Sequence, residues 1–195
     1  GDGSSTQARL SVGKEDIDNT TKILALKSID FIVSEDKNGN FVVSLSDGNK
    51  TQRARNASIQ SNLRKLGCID NKHIPEIYMM SSASDRLELL RGLMDSDGYP
   101  GEENIFYSTR EDLVLKVREL IHSLGGKARL ETTHSIYNNE SYTRYGVVFS
   151  LPFSAFNLKR KKQKEHLLSK RPYRYIHSII SVESTPTVCF AVDSV

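Results

Sequence analysis

Apolar positions recur at three- and four-residue spacing in two stretches. In the clearer one, Leu113, Val117, Leu120, Ile121 and Leu124 form one face of an amphipathic helix. Thr109 is its expected N-cap, with Asp112 three residues on, and Gly125-Gly126 supplies the stop. In the other, Leu87, Leu90, Leu93 and Met94 predict a second helix that either Ser84 or Asp85 would cap. Strand-like stretches fall between. Residues 29–34 and 41–46 flank Asp36-Lys37-Asn38-Gly39, a strong hairpin signal. Residues 128–134 and 145–151 flank Asn138-Asn139 in the same way.

These elements occur in a repeated order. Gly1-Asp2-Gly3 corresponds to Ser96-Asp97-Gly98. An acidic helix start follows each, Lys14-Glu15-Asp16-Ile17 and Arg110-Glu111-Asp112-Leu113, then a hairpin, then a basic cluster. Each half therefore reads as Asp-Gly, strand, helix, strand, strand, basic helix. Halves that cannot bury their own apolar faces pack on each other. The expected fold is α/β of the α+β kind, with two αββαββ-like halves about a pseudo-twofold axis. Sheet faces not covered by helices would form a polar saddle.

The chain has 195 residues, 37% of them hydrophobic, which is enough for a core and against a disordered chain. No apolar run approaches ~18 residues, so no membrane span is expected, and the first residues carry no signal-peptide pattern. Cys68 and Cys189 make neither a metal spacing nor a disulfide framework, so a reducing compartment is the default. A net charge of +3 says little; its placement says more. Lys159-Arg160-Lys161-Lys162 is the densest basic run, extended by Lys164, Lys170, Arg171 and Arg174 and opposed only by Glu165. Lys50, Arg53, Arg55, Arg64 and Lys65 form a weaker one. One such cluster reads as a solvated helix face. Two at matching places of a repeat point to nucleic acid.

The helix over Leu87–Met94 ends in two carboxylates, Asp95 and Asp97, then Gly98. A helix C-terminus carries partial negative charge, so carboxylates there call for a cation beside them and hint at a metal. Gly92 in mid-helix costs ~1 kcal/mol against alanine; close approach of a second helix is the expected use.

The stretch Leu90-Arg91-Gly92-Leu93-Met94-Asp95-Ser96-Asp97-Gly98 resembles the LAGLIDADG motif of homing endonucleases, with Arg91 where the name motif has alanine. Gly1-Asp2-Gly3 looks like the tail of a first copy. Upstream, Asn62-Leu63-Arg64-Lys65-Leu66-Gly67 and Lys72-His73-Ile74-Pro75 follow the order of intein-type members. The resemblance covers residues 1–171. It implies two motif helices packed at the centre of a DNA-binding β-saddle. It also implies that Asp2 and Asp97 hold divalent metal, usually Mg²⁺, beside one scissile phosphate each, with Gly1 and Ser96 adjoining the metal. Hard oxygen donors suit Mg²⁺. Asp95 is expected to be structural. A basic residue near each site would act on water or the transition state: Lys50 in the first half and Lys161 in the second, with Lys162 close behind. The alternative for each lysine is a plain phosphate contact.

DNA contacts are expected from Arg9, Arg53, Arg55, Arg144, Lys159, Arg160 and Lys162. By alternation, Gln7, Arg9, Ser11, Ser44 and Ser46 would face outward in one half, and Thr132, His134, Arg144 and Ser150 in the other, although a one-residue slip inverts each choice.

After Pro172 the pattern reads as two strands, 175–183 and 188–194, resembling the return into an intein's splicing domain over residues 172–195. Cys189 stands where inteins carry Asp or a nucleophilic Cys; a buried strand thiol is the plainer reading. The terminal His-Asn pair is missing, so splicing by this chain alone is not expected. A calcium loop at Asp95 fails, because Tyr99 and Pro100 occupy the fifth and sixth positions. His73, His122, His134, His166 and His177 are scattered, against zinc. No Gly-rich phosphate loop is present. The expected function is a site-specific, metal-dependent double-stranded DNA endonuclease within an intein. Expected with it are a host extein in cis, a monomeric state, and an intracellular location in a prokaryote or phage-infected cell. The rivals are a cleavage-inactive DNA- or RNA-binding module of the same fold, and a structural insertion.

Overall fold

The computed structural model describes residues 8–46, 58–69, 71–137, 140–168 and 175–189. It is an α+β protein with antiparallel sheets. Strand β1 (Arg9–Val12) leads through helix α1 (Ile17–Leu26) to the hairpin β2 (Asp30–Glu35) and β3 (Phe41–Ser46). Helices α2 (Ile59–Lys65) and α3 (Glu76–Met79) precede the motif helix α4 (Ala83–Asp97). Then come β4 (Gly98–Tyr99), β5 (Asn104–Ser108), α5 (Glu111–Ser123), the long hairpin β6 (Lys127–Tyr137) and β7 (Glu140–Ser150), and α6 (Lys159–Lys162).

The repeat read from the sequence appears as repeated connectivity. The first sheet has order β1-β3-β2 and the second β4-β5-β7-β6. In both, the strand before the helix pairs with the second hairpin strand. The first hairpin closes as its residues demand: the Asp36 carboxylate accepts from the amides of Asn38 and Asn40 at 2.8 and 2.9 Å. Helix α5 buries Leu113, Val114, Val117, Leu120 and Ile121. It stops in a Schellman arrangement, with Gly125 at φ +82° and the Gly126 amide donating to Ile121 carbonyl. Its start differs from expectation. Arg110, not Thr109, is the N-cap residue, and no side chain caps it.

The motif helix also starts earlier than expected. Ser82 caps it, its hydroxyl accepting from the Asp85 amide at 3.2 Å and donating to the Asp85 carboxylate at 2.7 Å. That side-chain cap sets the first turn at Ala83 rather than at Ser84 or Asp85. Leu90 and Met94 lie fully buried in the larger core with Phe106, Val117, Leu120, Val147, Phe149 and Phe156. A smaller core, Val12, Leu24 and Val43, sits beneath the first sheet.

Among the described residues, long-range polar contacts join the halves. Arg160 binds the Asp16 carboxylate with Nε at 2.9 Å from both oxygens and Nη2 at 2.7 Å. Asn19 Nδ2 donates to Asn157 carbonyl at 3.2 Å, and Lys27 pairs with Glu88 at 3.2 Å.

The strands expected over 175–183 and 188–194 do not form within the described residues 175–189, which run without regular structure. Ile176, Ile179, Ile180, Val182 and Val188 are exposed there. A β-branched run becomes a strand only against a neighbour that completes its ladder.

Candidate functional site

The site is built on the end of the motif helix. Its two carboxylates point to different environments. Asp95 turns inward: its oxygens accept from the Asn157 amide at 3.0 and 3.2 Å and the Leu158 amide at 3.1 Å. It thus fastens the loop ahead of α6, the structural role expected of it. Burial still pushes its pKa up, against the lowering effect of those amides and of Lys161.

Lys161 supplies the cation that the helix end requires. Its buried amine donates to the carbonyls of Met94 at 2.9 Å, Asp95 at 2.9 Å and Gly98 at 2.8 Å. Burial, and then Arg160, push its pKa down, while Asp95, Asp16 and Asp97 oppose that. An ammonium has three N–H donors, and here all three are used. The family resemblance implies Lys161 as a group acting on water, with a phosphate contact as the alternative; its geometry is that of a C-terminal cap for the motif helix. The partner chemistry that a carboxylate at a helix C-terminus calls for is thus partly internal.

Asp97 is different. It is exposed, and among the described residues its carboxylate has no hydrogen bond or ion pair. Ser96 Oγ donates back to Leu93 carbonyl at 3.0 Å. Both residues stand on a ridge between two clefts. One cleft, about 660 Å³, runs between β1, α1 and the motif helix, with Leu10, Leu24 and Gly92 in its walls. The other, about 810 Å³, is mainly apolar and is lined by Leu89, Leu93, Tyr78, His73 and Phe106. No atom lies within 4 Å of a Cβ built on Gly92. The close helix contact expected there is not made by the described residues, and Gly92 instead opens onto the first cleft. Gly98 is the tightly packed glycine, since a Cβ would meet Met94 Cα and carbonyl oxygen at 2.7 Å.

Of the other predicted site residues, Gly1, Asp2, Lys50, Arg53 and Arg55 lie outside the described residues, as does Gln7. Arg9 and Ser11 are exposed on one face of β1, and Arg9 pairs with Ser44 on β3. Lys159 and Lys162 are exposed on α6. Arg160, expected on DNA, is engaged by Asp16. In the second sheet the outward set mixes two faces. Thr132 lies opposite Tyr145 on the helix-bearing face, with His134 opposite Thr143, whereas Arg144 lies opposite Thr133 on the other face. The one-residue ambiguity of strand alternation was thus resolved differently on β6 and β7. Cys189, read as a buried thiol, is free and exposed, because no strand forms around it.

Sequence reasoning missed two anchors. Asp16 was read only as part of an acidic helix start; its partner lies 144 residues away. Glu165 was read only as an opposing charge. Its carboxylate accepts from Asn104 Nδ2 at 2.8 Å, the Ala155 amide at 2.9 Å and Ser154 Oγ at 2.5 Å.

Comparison with known proteins gives a family match over part of the chain. Residues 84–180 match the LAGLIDADG-like domain. This region contains the motif helix, its acidic end and the whole second sheet. A replicative DNA helicase DnaB of Mycobacterium intracellulare is 34% identical over 145 residues, 70% of this chain and 25% of the helicase. The chain therefore spans about a quarter of that relative's length. A structure of mesophilic variants from the homing endonuclease I-DmoI overlays with a TM-score of 0.46 and 9% identity, over 74% of this chain and 69% of that one. Among the described residues, no helix is long and apolar enough to cross a membrane, and no group of three or more His, Cys, Asp or Glu is placed to hold a metal.

Proposed function

We propose that this chain is the endonuclease part of an intein, hydrolysing double-stranded DNA at a specific site with a divalent cation. The observation that carries the reading is Asp97. It is an exposed carboxylate, without a hydrogen bond or ion pair among the described residues, on a LAGLIDADG-like helix end held on a ridge between two clefts. One hard oxygen donor set of this kind suits Mg²⁺. Asp97 would hold one edge of the metal, with Ser96 beside it; Asp2 and Gly1 would do so in the first half. When bound, the cation would lower the pKa of water and offset charge on the leaving oxygen. The protein's own groups do the rest. Lys161 fixes the direction of the helix end, Asp95 locks the loop behind it, and the exposed Lys159 and Lys162 offer phosphate contacts.

The intein context rests on the helicase match. A helicase needs a phosphate-binding loop, and this chain has no Gly-x-x-x-x-Gly-Lys-Ser/Thr segment. The similar stretch therefore does not carry the nucleotide-binding loop of that relative, which supports reading it as an insertion. In that context the partners would be target DNA and a host extein in cis, residues 172–195 would belong to a splicing domain, and Cys189 would gain its strand and neighbours there. A monomer in an intracellular compartment fits two sites carried on one chain.

The test is cleavage of a duplex spanning the uninterrupted host gene, with Mg²⁺ and with EDTA. The expected result is metal-dependent double-strand scission at one position. Tight binding without nicking in Mg²⁺ would refute the catalytic reading in favour of a binding module. Negligible affinity for any duplex at low salt would leave only a structural insertion.

A further inference from the structure

The face of the second sheet turned away from helix α5 holds Arg144, expected on DNA, in an arrangement that a plain phosphate contact would not require. Tyr107 on β5, Gly146 on β7 and Glu131 on β6 form one row across the sheet. The missing side chain of Gly146 leaves the space they occupy. A Cβ there would meet the Tyr107 ring at 2.7 Å and Glu131 Cγ at 2.9 Å. The Tyr107 hydroxyl donates to the Glu131 carboxylate at 2.5 Å, tying the ring down across the strand. Tyr99 supports it edge-on, with centroids 6.2 Å apart. Over this ring lies Arg144, its guanidinium carbon 3.9 Å from the centroid. Arg144 Nε donates to Thr133 Oγ1 at 3.4 Å.

The Tyr107 ring beneath the guanidinium restrains it on one side, and the long Nε contact to Thr133 restrains it at the stem. The terminal nitrogens Nη1 and Nη2 of Arg144 have no partner among the described residues. Nearby carboxylates are already taken. Glu131 receives the Tyr107 hydroxyl and lies 3.8 Å from Arg129, and Glu103 pairs with Arg129 at 2.6 Å. Two arginines near the seam are neutralised by carboxylates, Arg160 by Asp16 and Arg91 by Glu88. Arg144 is thus a flat two-donor fork, restrained and left unpaired. It sits on a two-stranded ribbon of eleven-residue strands, a shape that the major groove admits.

We propose that Arg144 is a specificity-determining residue that reads a guanine in the major groove, donating through Nη1 and Nη2 to O6 and N7, with Tyr107 as its platform. The inference rests on the DNA-binding reading above. A pre-oriented planar fork matches two acceptors in the plane of a base edge, whereas a phosphate contact needs no fixed plane.

The experiment is selection of bound duplexes from a randomised library by the full 195-residue chain at fixed salt, followed by sequencing. The wild type is expected to enrich a site with a strong guanine preference at one position. Arg144→Ala and Arg144→Lys should each lose that preference, roughly ten- to hundredfold, with the rest of the site unchanged. Tyr107→Leu should weaken it while Arg144 is still present. Circular dichroism checks that each variant is folded, and Arg144→Lys keeps the charge if Arg144→Ala is unfolded. A site profile that Arg144→Lys leaves unchanged overturns the assignment. So does a uniform loss of affinity across all sequences in Arg144→Ala with a shallower salt dependence, the mark of a phosphate contact. Failure of the wild type to enrich any duplex overturns the DNA reading itself, and this proposal with it.

Discussion

Replacing Lys161 with methionine separates two roles that the sequence alone leaves superposed. Methionine keeps most of the stem volume and removes the ammonium. Three carbonyls at the end of the motif helix, those of Met94, Asp95 and Gly98, then lose the ammonium, and the Met94 carbonyl keeps the Gly98 amide. The residue is only 7% exposed, so water does not take over freely. Removing one partner of such a buried charged arrangement costs about 3–5 kcal/mol. For a chain of this length, each kcal/mol moves Tm by roughly 2–4 °C, so the variant should melt on the order of 10 °C lower. Thermal unfolding followed by circular dichroism reads this directly. Cleavage measured well below the melting transition reads the second role. If Lys161 positions the helix end, stability and cleavage fall together, and Asp95 loses the nearby positive charge. A Tm within about 2 °C of wild type, with cleavage abolished, would refute the capping role and return Lys161 to acting on water.

The remaining predictions concern the same helix end. Asp97→Asn should leave Tm unchanged, since an exposed surface substitution stays within about 0.5 kcal/mol; it should preserve duplex binding by gel shift and abolish scission of at least one strand. Gly98→Ala should destabilise by about 1–3 kcal/mol, because the new Cβ meets Met94 backbone at 2.7 Å, and chemical denaturation should show it. Asp95 has a folded pKa raised above its unfolded value of 3.8, chiefly by burial. The native state then binds more protons than the unfolded one just above pH 3.8, so this group makes stability fall as pH rises through that window. Stability curves of Asp95→Asn should lack that fall, and an identical pH slope in the variant would refute it.

Much of the fold was legible because it rests on local signals. The Asp36 turn, the apolar face of Leu113–Ile121 and the Gly125 stop each act within a few residues, and the repeat multiplied them. The motif helix was legible for the same reason, apart from a start set by the Ser82–Asp85 pair. What escaped was long-range or a matter of parity. Nothing near Asp16 announces Arg160, and nothing near Lys161 announces three carbonyls on a helix more than sixty residues earlier. On β6 and β7 the alternation gave two equally regular answers, and only the pairing of Thr133 with Arg144 chose between them. The tail misled for a third reason. Its β-branched residues have strand propensity, but propensity without a neighbouring strand buries nothing.

The charge balance at the helix end explains why one carboxylate is held inside and the other is exposed. Two acidic side chains and the partial negative charge of the helix C-terminus converge there. A single ammonium, Lys161, enters from the second half and sits on the carbonyls, offsetting the helix end and favouring ionised Asp95 from within. Asp95 in turn spends its oxygens on the Asn157 and Leu158 amides, so it has no role left in the cleft. Among the described residues, Asp97 is the carboxylate there with no hydrogen bond or ion pair, and it is the exposed one. The loop carrying Lys161 is itself fixed to the first half through Arg160 and Asp16. The aim of Asp97 therefore depends on the seam between halves: Lys161 holds the helix end, Arg160 holds the segment bearing Lys161, and Asp16 holds Arg160. A shift of the first half would move all three, which ties the geometry of the acidic tip to the packing of the two sheets that would flank a bound duplex.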